Sequence, residues 1–168
     1  MALTNAKRAS DLHALDLRCR NFSPEGVTFE ILGLTKTRRS GPPRQAFYPS
    51  FPEKSVCPVE TLRHYESRTI IHRPTGSVAN PLFISYSKPH KPVQSATISR
   101  WIRNMLTQAG VDSSFKAHPT QAASTSAAKN RGVTTKDIMC AADWSRESTF
   151  QRFYHKPIDP ELYLRTGS

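Results

Sequence analysis

The sequence predicts an α+β fold that is mainly helical, with a small antiparallel β-meander packed against a helical core. Apolar and polar residues alternate over residues 16–34 and are interrupted by the turn sequence SPEG, as expected for a hairpin. Later segments have apolar residues at helical spacing, most clearly over residues 95–110. The 168 residues are enough for one domain with a reasonable core.

The N-terminal part of the chain predicts one helix and three strands. Residues 3–15 place their leucines on or near one face of a helix. The hairpin strands are expected over residues 16–22 and 27–34. A basic, proline-containing turn follows, and a third short strand is expected around residues 45–48.

Five helical segments are expected in the rest of the chain. Pro58 and Pro74 bracket the first of them, over residues 59–73. The helix over residues 95–110 is stopped by Gly110. Its apolar stripe consists of Ile98, Trp101, Ile102, Met105 and Ala109. The remaining helices are expected over residues 119–130, 134–144 and 146–155.

The charge of the chain indicates a polyanionic partner. Lys and Arg number 24 and Asp and Glu number 13, which gives a net charge of +11 and an isoelectric point near 10.0. A basic excess of this size is typical of domains that bind nucleic acid. A membrane partner is not expected, because no run of 18 apolar residues is present.

The three cysteines predict neither a disulfide framework nor a zinc site. Cys19, Cys57 and Cys140 are an odd number and lack Cys-x-x-Cys or paired Cys/His spacing. We therefore expect reduced thiols in an intracellular protein.

The segment FKAHPTQAAS, residues 115–124, is the most informative short motif. His118 and Gln121 are three residues apart and share one helical face, while Pro119 suits the first turn of a helix. The N-terminus of a helix presents unpaired N–H groups that bind anions. The motif is therefore either part of a phosphate site or an ordinary capped helix.

The order of several motifs along the chain favours the phosphate site. The segments RASDLHAL, TKTRR, HPTQAASTSAA and AADWSRESTFQRFYH occur in that order. This arrangement resembles the catalytic domain of tyrosine recombinases, the phage-integrase family. It is most similar to the copies in eukaryotic mobile elements such as DIRS-type retrotransposons and Cryptons. The resemblance covers nearly the whole chain and is strongest over residues 116–157.

The resemblance implies a role for each matching residue. Arg8 matches the first phosphate-binding Arg, and Lys36 matches the Lys on a hairpin turn that protonates the leaving 5′ oxygen. His118 matches the His of the His-x-x-Arg motif, and Trp144 matches a later His-or-Trp position. Tyr154 matches the nucleophile.

The same resemblance implies DNA as the partner. The residues expected to contact it are Arg8, Lys36, Arg38, Arg39, Lys116 and Gln121. Cations and N–H donors would hold the nonbridging phosphate oxygens while the Tyr hydroxyl attacks and forms a 3′-phosphotyrosine. This chemistry uses no cofactor, metal or small-molecule substrate. Self-association on DNA through the C-terminal segment and a nuclear location are further expectations.

The chain departs from the motif at Gln121, where the family has a second Arg. A Gln amide donates hydrogen bonds but carries no charge, and loss of a transition-state Arg in phosphoryl transfer typically costs about 10³ to 10⁵ in rate. Arg131 is too far along the helix to replace it. The chain also lacks room for the family's N-terminal DNA-clamping domain, so we expect a copy truncated at its N-terminus.

Three hypotheses follow from the sequence. The chain is a recombinase domain with impaired strand cleavage, or a catalytically inactive DNA-binding remnant of a mobile element. The third is a helical domain whose charge maintains solubility or docks an acidic protein, which explains the composition but not the order of the motifs.

Overall fold

A computed structural model of the protein describes residues 1–2, 4–5, 7–31, 44–73, 79–110 and 119–142, with residues 119–123 and 141 described through their backbone. Within these ranges the fold combines helices with one three-stranded antiparallel sheet. The strands are β1 (Arg20–Ser23), β2 (Gly26–Ile31) and β3 (Arg44–Pro49). The helices are α1 (Ala9–His13), α2 (Pro58–Thr69), α3 (Ser95–Gln108), α4 (Pro119–Asn130) and α5 (Thr135–Ala142). The predicted fold class is confirmed.

The sheet is a meander in the order β1-β2-β3, as the sequence predicted. In the first pair Phe22 lies opposite Val27, and in the second Ile31 lies opposite Arg44. β2 has the most buried positions, because it is the central strand and packs against the core. Residues 32–34 of the strand predicted over 27–34 lie outside the described residues.

The prediction for the first strand was wrong at its start. Residues Leu17–Cys19 form a 3₁₀ turn, and β1 begins only at Arg20. The cause is local: the Asp16 carboxylate accepts the backbone N–H of Arg18 at 2.9 Å, a side-chain turn that competes with strand geometry.

The first helix is also shorter than predicted. It covers five residues, Ala9–His13, instead of residues 3–15. The backbone of Arg8 is extended, at φ −76° and ψ 161°, and the Asp11 carboxylate accepts its N–H at 3.1 Å. This contact favours a helix start immediately after Arg8. Leu15 is buried beyond the helix, where its carbonyl accepts the N–H of Leu82 at 2.7 Å.

The main core lies between the sheet, α1, α2 and one end of α3. Its largest fully buried side chains are Tyr48, Phe29, Leu15, Ile31, Leu62 and Leu82. α2 continues into a 3₁₀ turn over Ile70–His72, so the predicted helix over residues 59–73 is confirmed apart from its tighter last turn. Arg73 then joins this turn to the next segment by donating to the carbonyls of Pro81 and Leu82, each at 2.7 Å.

α3 buries only the first part of its predicted apolar stripe. Ile98 is buried, and Trp101 and Ile102 are half-buried against the core. Met105, which belongs to the same stripe, is 67% exposed. Gly110 ends the helix at φ +83°, a conformation that glycine adopts without steric cost.

α4 and α5 follow the predicted bounds closely. Gly132 separates them at φ +83°. The Thr134 side chain caps α5, since Thr134 Oγ1 accepts the backbone N–H of Asp137 at 3.1 Å. Ile138 and Ala142 form a second, small cluster of buried residues. The helix predicted over residues 146–155 lies outside the described residues.

The three cysteines are free thiols, as the sequence predicted. Within the described ranges, none of the helices is both long and apolar enough to span a bilayer.

Candidate nucleic-acid interface

Arg8 occupies the residue immediately before α1, and its side chain is exposed. Its backbone is fixed by the Asp11 carboxylate, which accepts the Arg8 N–H. A guanidinium at this place can reach a phosphate in solvent while its main chain stays held. Of the predicted site residues, Arg8 is the one whose side chain the structure describes.

Asp11 also connects α1 to the sheet. Its Oδ1 accepts a hydrogen bond from Nη1 of Arg44 at 3.0 Å. Both side chains are largely buried, with 13% of Asp11 and 12% of Arg44 exposed. A single carboxylate therefore fixes both the backbone at Arg8 and the first residue of β3.

This contact brings the start of α1 to one particular end of the sheet. Arg44 opens β3 and pairs with Ile31, the last residue of β2. Residues 32–43 connect these two positions, and they carry the predicted Lys36. Ile31 and Arg44, the described residues that flank this segment in the sequence, are therefore at the same sheet end as Arg8.

The base of this site is well packed. Tyr48, on β3, is fully buried and meets the Phe29 ring edge-on, with 6.1 Å between ring centroids. Burial, together with the negative charge of Asp11, raises the pKa of the Tyr48 hydroxyl. Tyr48 is therefore unsuited to be a nucleophile.

The N-terminus of α4 carries the other described part of the predicted site. Pro119 is the first helical residue and Gln121 the third, so the N–H groups of Thr120 and Gln121 belong to the first turn. These donors suit an oxyanion. Arg131 follows the opposite end of α4, about 15 Å or more from the first turn, which supports the prediction that it does not replace the missing Arg.

The other predicted site residues lie outside the described residues. They are Lys36, Arg38, Arg39, Lys116, His118, Trp144 and Tyr154. The side chain of Gln121 is likewise not described. The meeting of these residues with Arg8 around one phosphate stays a prediction.

Sequence reasoning missed Asp11 and Arg44 as supporting residues. Asp11 could have been found, because a carboxylate three residues after a helix-capping position is a recognisable pattern. Arg44 could not, since it is 33 residues from Asp11 and nothing local indicates the contact.

Two further tyrosines are described, and neither belongs to this site. Tyr65 accepts the backbone N–H of Ile84 at 3.1 Å and packs against Phe83. Tyr86 is 87% exposed.

Comparison with known proteins identifies the fold. No protein-family model matches the sequence, and no curated protein matches it significantly. Among solved structures, the chain is similar to the XerA recombinase, with 17% identity, a TM-score of 0.69 and coverage of 99% of this chain and 56% of that one. It is also similar to the XerH site-specific recombinase bound to its difH substrate, with 12% identity, a TM-score of 0.71 and coverage of 99% and 42%.

A third similar structure is a lambda integrase dimer bound to a COC′ core site, at 13% identity, a TM-score of 0.55 and coverage of 95% and 50%. The chain thus spans about half the length of the solved structures that it matches. At these identities the comparisons establish the fold, which is that of the tyrosine recombinase catalytic domain. The fold predicted from the motifs is confirmed.

Proposed function

We propose that this chain is a DNA-binding domain of the tyrosine recombinase type, whose strand-cleavage activity is impaired by Gln121. The observation that carries the proposal is the position of Arg8. The Asp11–Arg44 contact holds it at the sheet end from which residues 32–43, with Lys36, depart. The fold and the net charge of +11 support the same interpretation.

In this proposal the chain's own side chains carry out all of the chemistry. Arg8 and the first-turn N–H groups of α4 bind the nonbridging oxygens of one phosphate. Tyr154 attacks the phosphorus and forms a 3′-phosphotyrosine, while Lys36 gives a proton to the leaving 5′ oxygen. His118 accepts the hydroxyl proton that Tyr154 loses, and the indole N–H of Trp144 donates a hydrogen bond to a phosphate oxygen.

Gln121 limits this reaction. Its amide binds an oxygen but leaves one negative charge of the transition state uncompensated. We therefore expect cleavage to be about 10³ to 10⁵ slower than with an Arg at this position. A protein that only binds DNA does not need a transition-state Arg at this position. A catalytically inactive remnant of a mobile element is therefore the second candidate function.

Trapping of a covalent adduct on a nicked suicide duplex tests the proposal. The wild-type chain should form little adduct, and Gln121→Arg should form it readily. The matched control is Gln121→Arg combined with Tyr154→Phe, which keeps the charge and removes the nucleophile, so it should form none.

The outcomes of this experiment distinguish an impaired recombinase domain from an inactive DNA-binding remnant. Adduct in Gln121→Arg that depends on Tyr154 supports an intact scaffold with impaired chemistry. Binding without adduct in every variant supports the inactive remnant, and absence of both binding and adduct overturns the proposal. The kinship with DIRS-type or Crypton elements, the nuclear location and self-association on DNA are proposed on the motifs alone.

A further inference from the structure

A groove of about 970 Å³ runs along the exposed side of α2 and its 3₁₀ turn. Glu60 and His72 mark its extent on this element, and Tyr86 and His90 form its opposite wall. The helical rise makes this stretch roughly 20 Å long. No residue of α1 lines the groove, so it is a different surface from the one that contains Arg8.

Cations outnumber carboxylates along the groove. Among the described residues that line it, Lys54, Arg63 and Arg68 stand against the single carboxylate of Glu60. Arg63 is only weakly engaged by Glu60, since their charged atoms are 3.5 Å apart and both side chains are well exposed. Within the part of the chain that the structure describes, Lys54 and Arg68 make no ion pair. The groove therefore presents an uncompensated positive charge.

Flat aromatic surfaces lie among these cations. The rings of His72 and His90 are stacked, with centroids 3.9 Å apart and planes inclined by 21°. Tyr86 is 87% exposed, although tyrosine rings usually bury much of their surface. An exposed ring in a groove that cations also line has the properties of a platform for a planar ligand.

The loop that carries His90 and Tyr86 is held in an unusual conformation. His90 has φ +56°, in the left-handed region that non-glycine residues rarely adopt. The His90 ring nitrogen Nδ1 lies 3.0 Å from the Ser85 carbonyl, and the Ser85 N–H donates to Lys91 O at 2.8 Å. Backbone strain of this kind is concentrated at functional sites. Here it places the imidazole on the ring of His72.

We propose that this groove binds a short stretch of single-stranded nucleic acid. Cations along a groove contact successive phosphates, and exposed rings stack on unpaired bases, which is the general design of single-strand binding sites. A groove roughly 20 Å long holds about six nucleotides at about 3.4 Å each. Duplex DNA does not offer its base faces to Tyr86, so the aromatic surface favours a single strand.

An acidic protein segment is the competing ligand. It would satisfy Lys54 and Arg68 equally well, and Ile70 and Ile71, which are 67% and 81% exposed nearby, could contact its apolar residues. Binding of an acidic segment does not explain why the groove contains both an exposed Tyr86 and a stacked pair of imidazoles. The aromatic surface is therefore the feature that an experiment should test.

Fluorescence anisotropy with a labelled eight-nucleotide oligothymidine measures the proposed binding on the full chain. Binding should weaken about 20-fold between about 50 and about 200 mM salt if three phosphates are contacted. Tyr86→Ala should weaken it by about fivefold or more, the loss expected for one stacked base. Tyr86 is exposed, so this variant should keep the wild-type thermal unfolding temperature.

Charge-matched variants distinguish binding in the groove from nonspecific attraction of the strand to the net positive charge of the protein. Lys54→Glu with Arg68→Glu should weaken binding at least tenfold more than Arg131→Glu with Lys136→Glu, which makes the same change in net charge on α5 and the turn before it. Photocrosslinking with 5-iodouracil in the strand should attach it to Tyr86. Equal loss in both charge variants together with crosslinks elsewhere would overturn the proposal.

An acidic peptide provides the remaining comparison. Poly-glutamate that binds more tightly than the strand, with no loss in Tyr86→Ala, would also overturn it in favour of a protein ligand. These readings do not depend on the proposed function, because duplex binding and adduct formation are measured with the Arg8 and Gln121 variants instead.

Discussion

The Asp16 carboxylate accepts four hydrogen bonds from other described residues. It accepts from Nε and Nη2 of Arg18, each at 3.0 Å, and from the backbone N–H groups of Arg18 and Asn80, each at 2.9 Å. Burial alone would raise the pKa of this carboxyl, but the hydrogen bonds and the charge of Arg18 outweigh it, and the pKa is lowered from its ordinary value of 3.8. Asp16 thereby ties the 3₁₀ turn to residues 79–82.

The depressed pKa predicts how the stability of the fold depends on pH. Because the folded-state pKa lies below 3.8, the stabilising contribution of Asp16 is present above that pH and is lost as pH falls through the folded-state pKa. Asp16→Asn should lower the free energy of unfolding at pH 7 by about 1.5 kcal/mol. Urea unfolding of both proteins should show this difference shrinking below pH 3.8. A difference that stays constant with pH would contradict the ionic role.

At the scale of elements, the ion pair between Asp11 and Arg44 joins α1 to β3. Arg44→Met leaves the largely buried Asp11 carboxylate without its cation, and loss of one partner of a buried pair typically costs about 3 to 5 kcal/mol. Chemical denaturation should show this loss. Arg63→Met is a matched control, because its pair with Glu60 is exposed and should contribute no more than about 1 kcal/mol. Equal effects of the two variants would show that Asp11 does not depend on Arg44.

Helix ends in this chain are set largely by local residues, and those ends could be predicted from the sequence. α3 and α4 were predicted almost residue by residue, because Gly110, Pro119 and Gly132 determine helix ends through their own backbone preferences. α1 was overestimated because leucine spacing suggested a helix over residues 3–15, whereas the Asp11 contact favours a later start.

The features that could not be predicted from the sequence depend on contacts between residues far apart in the chain. The exposure of Met105 depends on how α3 crosses the core, and helical periodicity does not encode that crossing. At the site, Arg8 could be identified from its motif, whereas its attachment to β3 required the three-dimensional position of Arg44.

At the scale of the whole molecule, we propose that the net charge of +11 contributes to nucleic-acid binding at two places, the DNA surface that contains Arg8 and the α2 groove. Duplex affinity should fall steeply with salt, because each phosphate contact releases a condensed counterion. The residues of the two surfaces differ, so variants of Arg68 and of Arg8 should affect single-strand and duplex binding separately.

The salt dependence of duplex binding in Arg8→Gln tests the central claim most directly. If Arg8 contacts a phosphate, this substitution removes about one unit from the slope of log affinity against log salt, and Arg131→Gln, beyond the far end of α4, leaves the slope unchanged. Anisotropy with a labelled duplex, measured at several salt concentrations, gives both slopes. A slope for Arg8→Gln equal to that of the wild-type chain would show that Arg8 is not at the DNA backbone and would contradict the account.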